Sequence, residues 1–517
     1  MPSEDPRLIE LRAMRARARQ GGGQKRIEAQ HAKGKLTARE RLELLMDAGT
    51  FHEVEPFITH RGNELDPNAE RFLTDGVVGG YGQVDGRTVY VYAQDFTIFG
   101  GTLGELQSRK ICRIMDLAAR SGAPVISLID SGGARIQEGV RSLGGYSEIF
   151  RRNAQYSGVI PQISIMLGPC AGGAAYSPAL TDLVIMVEKQ SSMFITGPEV
   201  IKAVIGEVID IEGLGGTDVH TSTSGVAHLA VASEPEAMDL CRRLLSYLPS
   251  NNIDNPPFRP PPADWEPRGA ELNRIVPLDP STPYDMHDVI ACLADGDTFL
   301  EIHPQWARNA IVGFARLGGY SVGFVALEPA VLAGVIDIDA SDKIARFVHL
   351  CDCFNLPIIT LIDSPGFLPG VDQEHRGIIR HGAKIVYAYA VAVVPKISII
   401  TRKAYGGAYI VMSSKYLDTD LAYAWPSAEI AVLGGEAAAN ILFRKQIDAA
   451  ADPAAERQRL AEEYRERFSN PYHAAQAGYI DDVIEPAETR PKIIAALGAL
   501  RNKHVSLPPR KHGNIPV

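Results

Sequence analysis

Ser127-Leu-Ile-Asp-Ser-Gly-Gly133 returns later in the chain as Thr360-Leu-Ile-Asp-Ser-Pro-Gly366, and the flanking sequence keeps the same register in both directions. Lys110 and Lys343 each lie 20 residues before the aspartate. Downstream, Ile160-Pro-Gln-Ile-Ser-Ile165 matches Val394-Pro-Lys-Ile-Ser-Ile399, and Gly172-Gly-Ala174 matches Gly406-Gly-Ala408. Upstream, Val78-Gly79 and Val312-Gly313 open two hairpins that turn at Asp85-Gly86 and Gly318-Gly319, both favoured two-residue turns. The spacing between copies stays at 233 or 234 residues through these anchors, which reads as an internal duplication.

Within each copy, short β-branched runs such as Val125–Ile129 and Ile163–Leu167 alternate with helical stretches such as Leu103–Arg120. That alternation predicts βαβ units and a largely parallel sheet, hence two α/β domains. Pro256, Pro257, Pro260, Pro261, Pro262 and Pro267 favour an extended connector. The expected organisation is residues 1–258, a linker at 259–272 and a second domain at 273–517. Leu8–Met46, broken at Gly21-Gly22-Gly23, reads as two helices whose arginines form a solvated face. Ala454–Phe468 reads as a charged surface helix.

The 517 residues are 45% apolar and 22% charged, proportions of a globular protein that exclude a disordered or collagenous chain. A net charge of −10 disfavours a nucleic-acid partner, which needs a basic surface. The longest apolar run, Ile385–Val394, is too short for the roughly 20 residues of a membrane span. The six cysteines lie mostly in apolar segments and read as reduced core residues, placing the chain in the cytoplasm, or in the mitochondrial matrix of a eukaryote. No cluster has metal-ligand spacing and no phosphate-binding loop motif occurs, so no metal site is expected.

Ligands of parallel α/β sheets gather at the carboxyl ends of strands. Both Gly-Gly-Ala segments follow such strands, and amides at the start of the ensuing helix can hold a developing oxyanion. Close strand-to-helix packing is the better explanation of an isolated Gly-Gly; its repetition at equivalent places in both halves shifts the balance towards a pair of oxyanion sites. Asp130-Ser131-Gly132-Gly133 looks like a serine-protease nucleophile segment, but it follows a βαβ strand and its copy has proline for the first glycine, so a shared turn is the better reading. Lys110, Lys343 and His381 read as structural before catalytic.

The longer motifs resemble the carboxyltransferase β subunits of biotin-dependent acyl-CoA carboxylases, of the propionyl-CoA carboxylase type. They include Gly34-Lys-Leu-Thr-Ala-Arg-Glu-Arg41, Gln94-Asp-Phe-Thr-Ile-Phe-Gly-Gly101, Asp130-Ser-Gly-Gly-Ala-Arg135, Asp337-Ile-Asp-Ala-Ser-Asp-Lys343, Pro365-Gly-Phe-Leu-Pro-Gly370, Arg402-Lys-Ala-Tyr-Gly-Gly-Ala-Tyr409 and Gly478-Tyr-Ile-Asp-Asp-Val-Ile-Glu-Pro486. The resemblance implies tandem crotonase-like (ClpP/crotonase) domains and a homo-hexamer whose active sites lie between protomers. It implies carboxyl transfer from carboxybiotin, carried on a separate biotin carboxylase/carrier α subunit, to the α-carbon of a short-chain acyl-CoA such as propionyl-CoA. Gly172 and Gly173 would hold the thioester oxygen, and Gly407 and Ala408 the biotin ureido oxygen. Proton removal by biotin itself would leave no need for a side-chain base. Tyr409 and Ile410 would line the acyl and biotin pocket, with Ile410, where related chains carry aspartate, altering selectivity. Ser131, Gly132, Gly133, Ala134 and Arg135, with Phe299–Leu332, would contribute to coenzyme A binding. The alternatives are a subunit of a methylmalonyl-CoA decarboxylase or transcarboxylase, a non-catalytic scaffold and, last, a crotonase-type hydratase.

Overall fold

The computed structural model describes residues 4–61, 70–262, 266–277 and 279–517. It divides into two compact units, Met1–Asp254 and Asn255–Val517. Residues 263–265 of the expected linker lie outside the described residues. The proline-rich stretch begins on the second unit: Arg316 and Ser321 both donate to the Pro257 carbonyl, and the Arg259 amide donates to Gly319 O.

Among the described residues the strands of the two units correspond one for one. The first has β1 (His52–Glu53), β2 (Val77–Val84), β3 (Arg87–Gln94), β4 (Val125–Ser131), β5 (Gln162–Ala171), β6 (Leu183–Val187), β7 (Ser192–Phe194) and β8 (Leu229–Val231). The second has β9 (Leu300–Ile302), β10 (Ala310–Leu317), β11 (Tyr320–Leu327), β12 (Ile358–Ser364), β13 (Lys396–Tyr405), β14 (Leu421–Ala424), β15 (Glu429–Ala431) and β16 (Asp482–Val483). Their orders are β1-β2-β3-β4-β5-β6-β8 with β7 on β5, and β9-β10-β11-β12-β13-β14-β16 with β15 on β13. Each sheet opens with an antiparallel hairpin and continues parallel. Both hairpins close where expected, Val84 opposite Arg87 and Leu317 opposite Tyr320. The turn residues Asp85, Gly86, Gly318 and Gly319 all have positive φ, the backbone that twisted two-residue hairpins require.

Each sheet buries its face under helices with one apolar stripe. In the helix Glu105–Ser121, Ile111, Ile114, Met115 and Ala118 follow the i, i+3, i+4, i+7 rule and are all buried. Complete burial of each Ile or Met side chain is worth about 1.5–3 kcal/mol. The helix Val140–Tyr156 packs beside it. The helix Ile338–Cys353, started by the Asp337 side chain accepting from the Ala340 amide, and the helix Ile378–Val391 are the counterparts in the second unit.

The N-terminal segment departs from the expected two helices. It forms three, Pro6–Arg19, Gln24–His31 and Ala38–Leu45, because Gly34 turns the chain at φ 72° and Thr37 with Glu40 forms a capping box that starts the third. That box fixes the helical phase, turning Ala38, Arg41, Leu42 and Leu45 inward. Arg41 is therefore fully buried and is no part of a solvated face. The charged helix expected at Ala454–Phe468 runs from Pro453 to Tyr464 and anchors through Leu460 and Ala461. All six cysteines are free, and no described helix is long and apolar enough to cross a membrane.

Candidate active site

At the end of β5 the chain turns through Gly172 at φ 64° into a short helical stretch beginning Gly172-Gly173-Ala174; at the end of β13 it turns through Gly406 at φ 55° into the helix Gly406–Val411. The first turn of a helix leaves its amides without intrahelical partners. In both units the carbonyl facing the turning glycine comes from the residue after the neighbouring short strand. A Cβ on Gly172 would lie 3.7 Å from Ile195 O, and one on Gly406 3.1 Å from Val432 O. The next glycine is open in each case. A Cβ on Gly173 would meet nothing within 4 Å, and one on Gly407 only the Phe367 ring at 3.6 Å. Gly173 and Gly407 are exposed, while Ala174 and Ala408 are buried beneath them. Each unit thus presents bare backbone at a strand's carboxyl end, a surface that can receive a carbonyl oxygen. By the duplication Gly173 pairs with Gly407, so the pairs Gly172/Gly173 and Gly407/Ala408 are staggered by one residue.

Large apolar side chains flank both loops in the open. Tyr176 and Ile195 stand beside the first, and Ile410 and Val432 beside the second, each more than half exposed. The Tyr409 hydroxyl donates to Tyr479 O at 3.3 Å, and burial pushes its pKa up to about 12. Tyr409 is therefore a neutral wall, not a base.

The loop after β4 differs from the expectation attached to it. Ser131 is buried and donates through its hydroxyl to Gly101 O at 2.8 Å. Arg135 is 2% exposed, with one Nη donating to Asp75 at 2.6 Å and Glu138 at 2.8 Å. A guanidinium committed to two buried carboxylates has no charge to offer a coenzyme A phosphate; Gly132 and Ala134 are what this loop brings to the surface. Phe299–Leu332 is likewise mostly the buried β10–β11 hairpin, reaching solvent around 304–308 and 330–332.

The remaining candidates are structural. Lys110 donates to Val77 O at 2.8 Å, and Lys343 to His303 O at 2.8 Å and Trp306 O at 3.0 Å; burial lowers both pKa values to about 8. His381 is held by Asp342 at 2.9 Å. Asp285, His287 and Glu328 have metal-like spacing. The His287 ring, however, spans Asp285 at 2.7 Å and Glu301 at 2.9 Å. The Glu301 hydrogen bond leads in raising its pKa to about 9, so it is an imidazolium with both nitrogens engaged.

The repeated aspartates are the residues whose setting the sequence did not reveal. Asp130 is fully buried and accepts from Lys35 at 2.7 Å and Arg41 at 2.9 Å. Asp363 is fully buried and accepts from Arg402 at 2.9 Å. The signal for Arg41 lay in Thr37-Ala-Arg-Glu40, whose capping box sets the phase of the helix that carries it.

The carboxyl transferase domain model matches residues 29–515, and the chain belongs to that family. It is 57% identical over 517 residues to the carboxyltransferase subunit of propionyl-CoA carboxylase from Haloferax mediterranei, covering 100% of both chains. It is 52% identical to methylmalonyl-CoA decarboxylase subunit alpha of Propionigenium modestum, covering 99% of each. Among solved structures, the transcarboxylase 12S hexamer with methylmalonyl-CoA bound superimposes with a TM-score of 0.96 at 49% identity, covering 100% of this chain and 99% of that one. These likenesses make the two units tandem crotonase-like domains.

Proposed function

We propose that this chain is the carboxyltransferase subunit of a biotin-dependent acyl-CoA carboxylase, transferring a carboxyl group to the α-carbon of a short-chain acyl-CoA, propionyl-CoA foremost, to give methylmalonyl-CoA. The observation that carries the reading is the repetition of one bare-backbone cradle, at Gly172-Gly173 and at Gly406-Gly407-Ala408, in a chain matching such subunits over its full length. Two cradles suit a reaction with two carbonyl partners. A hydratase needs one.

In this reading the Gly172 and Gly173 amides donate to the thioester oxygen as it takes on enolate charge. Preorganised donors of this kind are worth roughly 3–4 kcal/mol each in a dry site. We assign biotin to the second cradle, where a Cβ on Gly407 would meet only the Phe367 ring within 4 Å and Ile410 and Val432 stand exposed beside it. The Gly407 and Ala408 amides would hold its ureido oxygen. Carboxybiotin on a separate carrier supplies the carboxyl group. The exposed Gly132 and the half-buried Ala134 would bear on coenzyme A, and Ile410, 54% exposed beside the second cradle, on acyl selectivity. An unchanged ranking of acyl-CoA substrates in Ile410→Asp would remove that last role.

We place the two carboxyltransferase domains at 1–258 and 273–517. The exposed apolar residues around both cradles support burial in a homo-hexamer, the assembly described for transcarboxylase 12S. The biotin-bearing subunit would be a separate protein and the location cytoplasmic, or the matrix in a mitochondrion. A second reading, the carboxyltransferase of a methylmalonyl-CoA decarboxylase or transcarboxylase, is favoured by the likeness to the Propionigenium subunit. The test is transfer of labelled carboxyl from carboxybiotin, free or carrier-bound, to acetyl-, propionyl- and butyryl-CoA, and in reverse from methylmalonyl-CoA. No transfer in either direction by folded protein with a competent carrier would leave only a scaffold.

A further inference from the structure

The glycine cradle of the first unit stands on a break in its strand. β4 and β5 pair regularly as far as Ile129 opposite Met166, then resume with Ser131 opposite Cys170, so Leu167-Gly168-Pro169 bulges against the single residue Asp130. From Pro169, still within the bulge, β5 pairs with β7 as far as Ala171 opposite Phe194, and then delivers Gly172 and Gly173. A bulge bends its strand and frees backbone groups from the ladder, and a buried carbonyl so freed needs another donor.

The freed carbonyl is that of Leu167. It accepts from Arg41 at 3.2 Å and from the Gln190 side chain at 3.0 Å. The same guanidinium donates to Asp130, the residue opposite the bulge, and makes two bonds to Glu234 at 2.7 and 2.8 Å. Gln190 also donates to Glu234. Arg41 therefore grips both sides of the strand break, one nitrogen on Asp130 and another on Leu167 O, with a buried carboxylate fixing its plane.

We propose that Arg41 is a positioning residue for carboxyl transfer: by holding the β5 bulge it sets where the Gly172 and Gly173 amides stand relative to the acyl thioester. This rests on the carboxyltransferase reading above. Lysine in its place keeps the charge on Asp130 but lacks the planar fork that reaches Glu234 and Leu167 O as well. A displacement of the amides by about an ångström is enough for a 100-fold loss in rate. Because the loss falls on α-proton removal, it shows in turnover and in isotope sensitivity, with coenzyme A binding spared.

The experiment uses the enzyme assembled with its biotin-bearing partner. Arg41→Lys, Gln190→Leu and, as control, Arg39→Lys, whose side chain bonds Glu53 and Ala18 O, are assayed with propionyl-CoA and its α-deuterated form. Arg41→Lys is expected to lower kcat by about 10- to 100-fold, with KM for propionyl-CoA within about threefold and a larger deuterium effect on kcat/KM. Gln190→Leu should shift both in the same direction and less, and Arg39→Lys neither. A fall in kcat with an unchanged isotope effect means lost folded enzyme and overturns the proposal, as does an unchanged kcat. Should Arg41→Lys fail to assemble, Gln190→Leu decides alone, and wild-type kcat and isotope effect in that variant overturn the proposal. Absence of transfer by the unmodified enzyme would instead overturn the functional reading, and this proposal with it.

Discussion

The two units solve one electrostatic problem with different parts. Each buries an aspartate opposite a strand bulge, at Asp130 against Leu167–Pro169 and at Asp363 against Thr401–Lys403. In the second unit the counter-charge is local: Arg402, within the bulge itself, donates to Asp363, reaches the Asp279 and Thr282 carbonyls and lies over the Tyr284 ring. The equivalent position in the first unit is Gly168, where a Cβ would fall 2.0 Å from the Asp130 carboxylate and 2.6 Å from Lys35 Nζ. There the cations arrive from Lys35 and Arg41 in the N-terminal segment. The freed carbonyl follows the same pattern, Leu167 O being taken by Arg41 and Gln190, and Thr401 O by Ser427. What the fold preserves is neutralisation of a buried carboxylate; which residue supplies the cation is free to change.

The sharpest way to break this equivalence is to remove one cation from each unit. Arg402→Met leaves Asp363 buried without its partner and should destabilise the second unit by about 3–5 kcal/mol. Lys35→Met leaves Arg41 on Asp130 and should cost about 1.5–3 kcal/mol. Urea unfolding of the two variants measures the difference, and equal losses would mean that the first unit gains nothing from sharing. The cradles should respond alike. Gly173→Val places a side chain in open space and Gly407→Val one that meets only the Phe367 ring at van der Waals distance, so both should stay near the wild-type unfolding midpoint while lowering carboxyl transfer about 10²- to 10³-fold in the labelled-carboxyl assay. Loss at only one would show that the cradles are not equivalent in use.

Moving the cation tests the comparison more finely. Gly168→Arg should cost the first unit at least about 1–3 kcal/mol through overpacking against the Asp130 carboxylate and Lys35 Nζ, and adding Lys35→Ala should recover only the share that comes from Lys35. The smallest effect is specific to the second unit. The folded pKa of His287, about 9, is raised above its ordinary value, so its contribution is complete below about pH 6.5 and is lost as pH rises through 9. The gap in thermal midpoint between the unmodified chain and His287→Gln should therefore shrink over that window, and a gap independent of pH would remove the ionic role of His287.

The duplication, both hairpins, the parallel sheets and the placement of Gly172 and Gly406 at strand ends were legible because each rests on local rules of turn residues and alternation. The ion-pair network was not. Asp130 and Lys35 are 95 positions apart in the chain, and nothing in either neighbourhood names the other. Arginines at residues 39 and 41 look alike in sequence, yet one meets Glu53 near the surface and the other is sealed inside, a difference fixed by one helical phase. Arg135 misled for the same reason, since its partner Asp75 comes from a distant turn.

The N-terminal segment thereby gives the units unequal independence. A fragment starting at Asn255 carries within itself the cation that Asp363 needs. A fragment of the first unit starting after Met46 would lack Lys35 and Arg41, leaving Asp130 and Glu234 as two buried anions on neighbouring strands and helices. Any attempt to divide this protein is thus one-sided: the second half carries its own cation for Asp363, whereas the first must keep its opening helices to neutralise both Asp130 and Glu234.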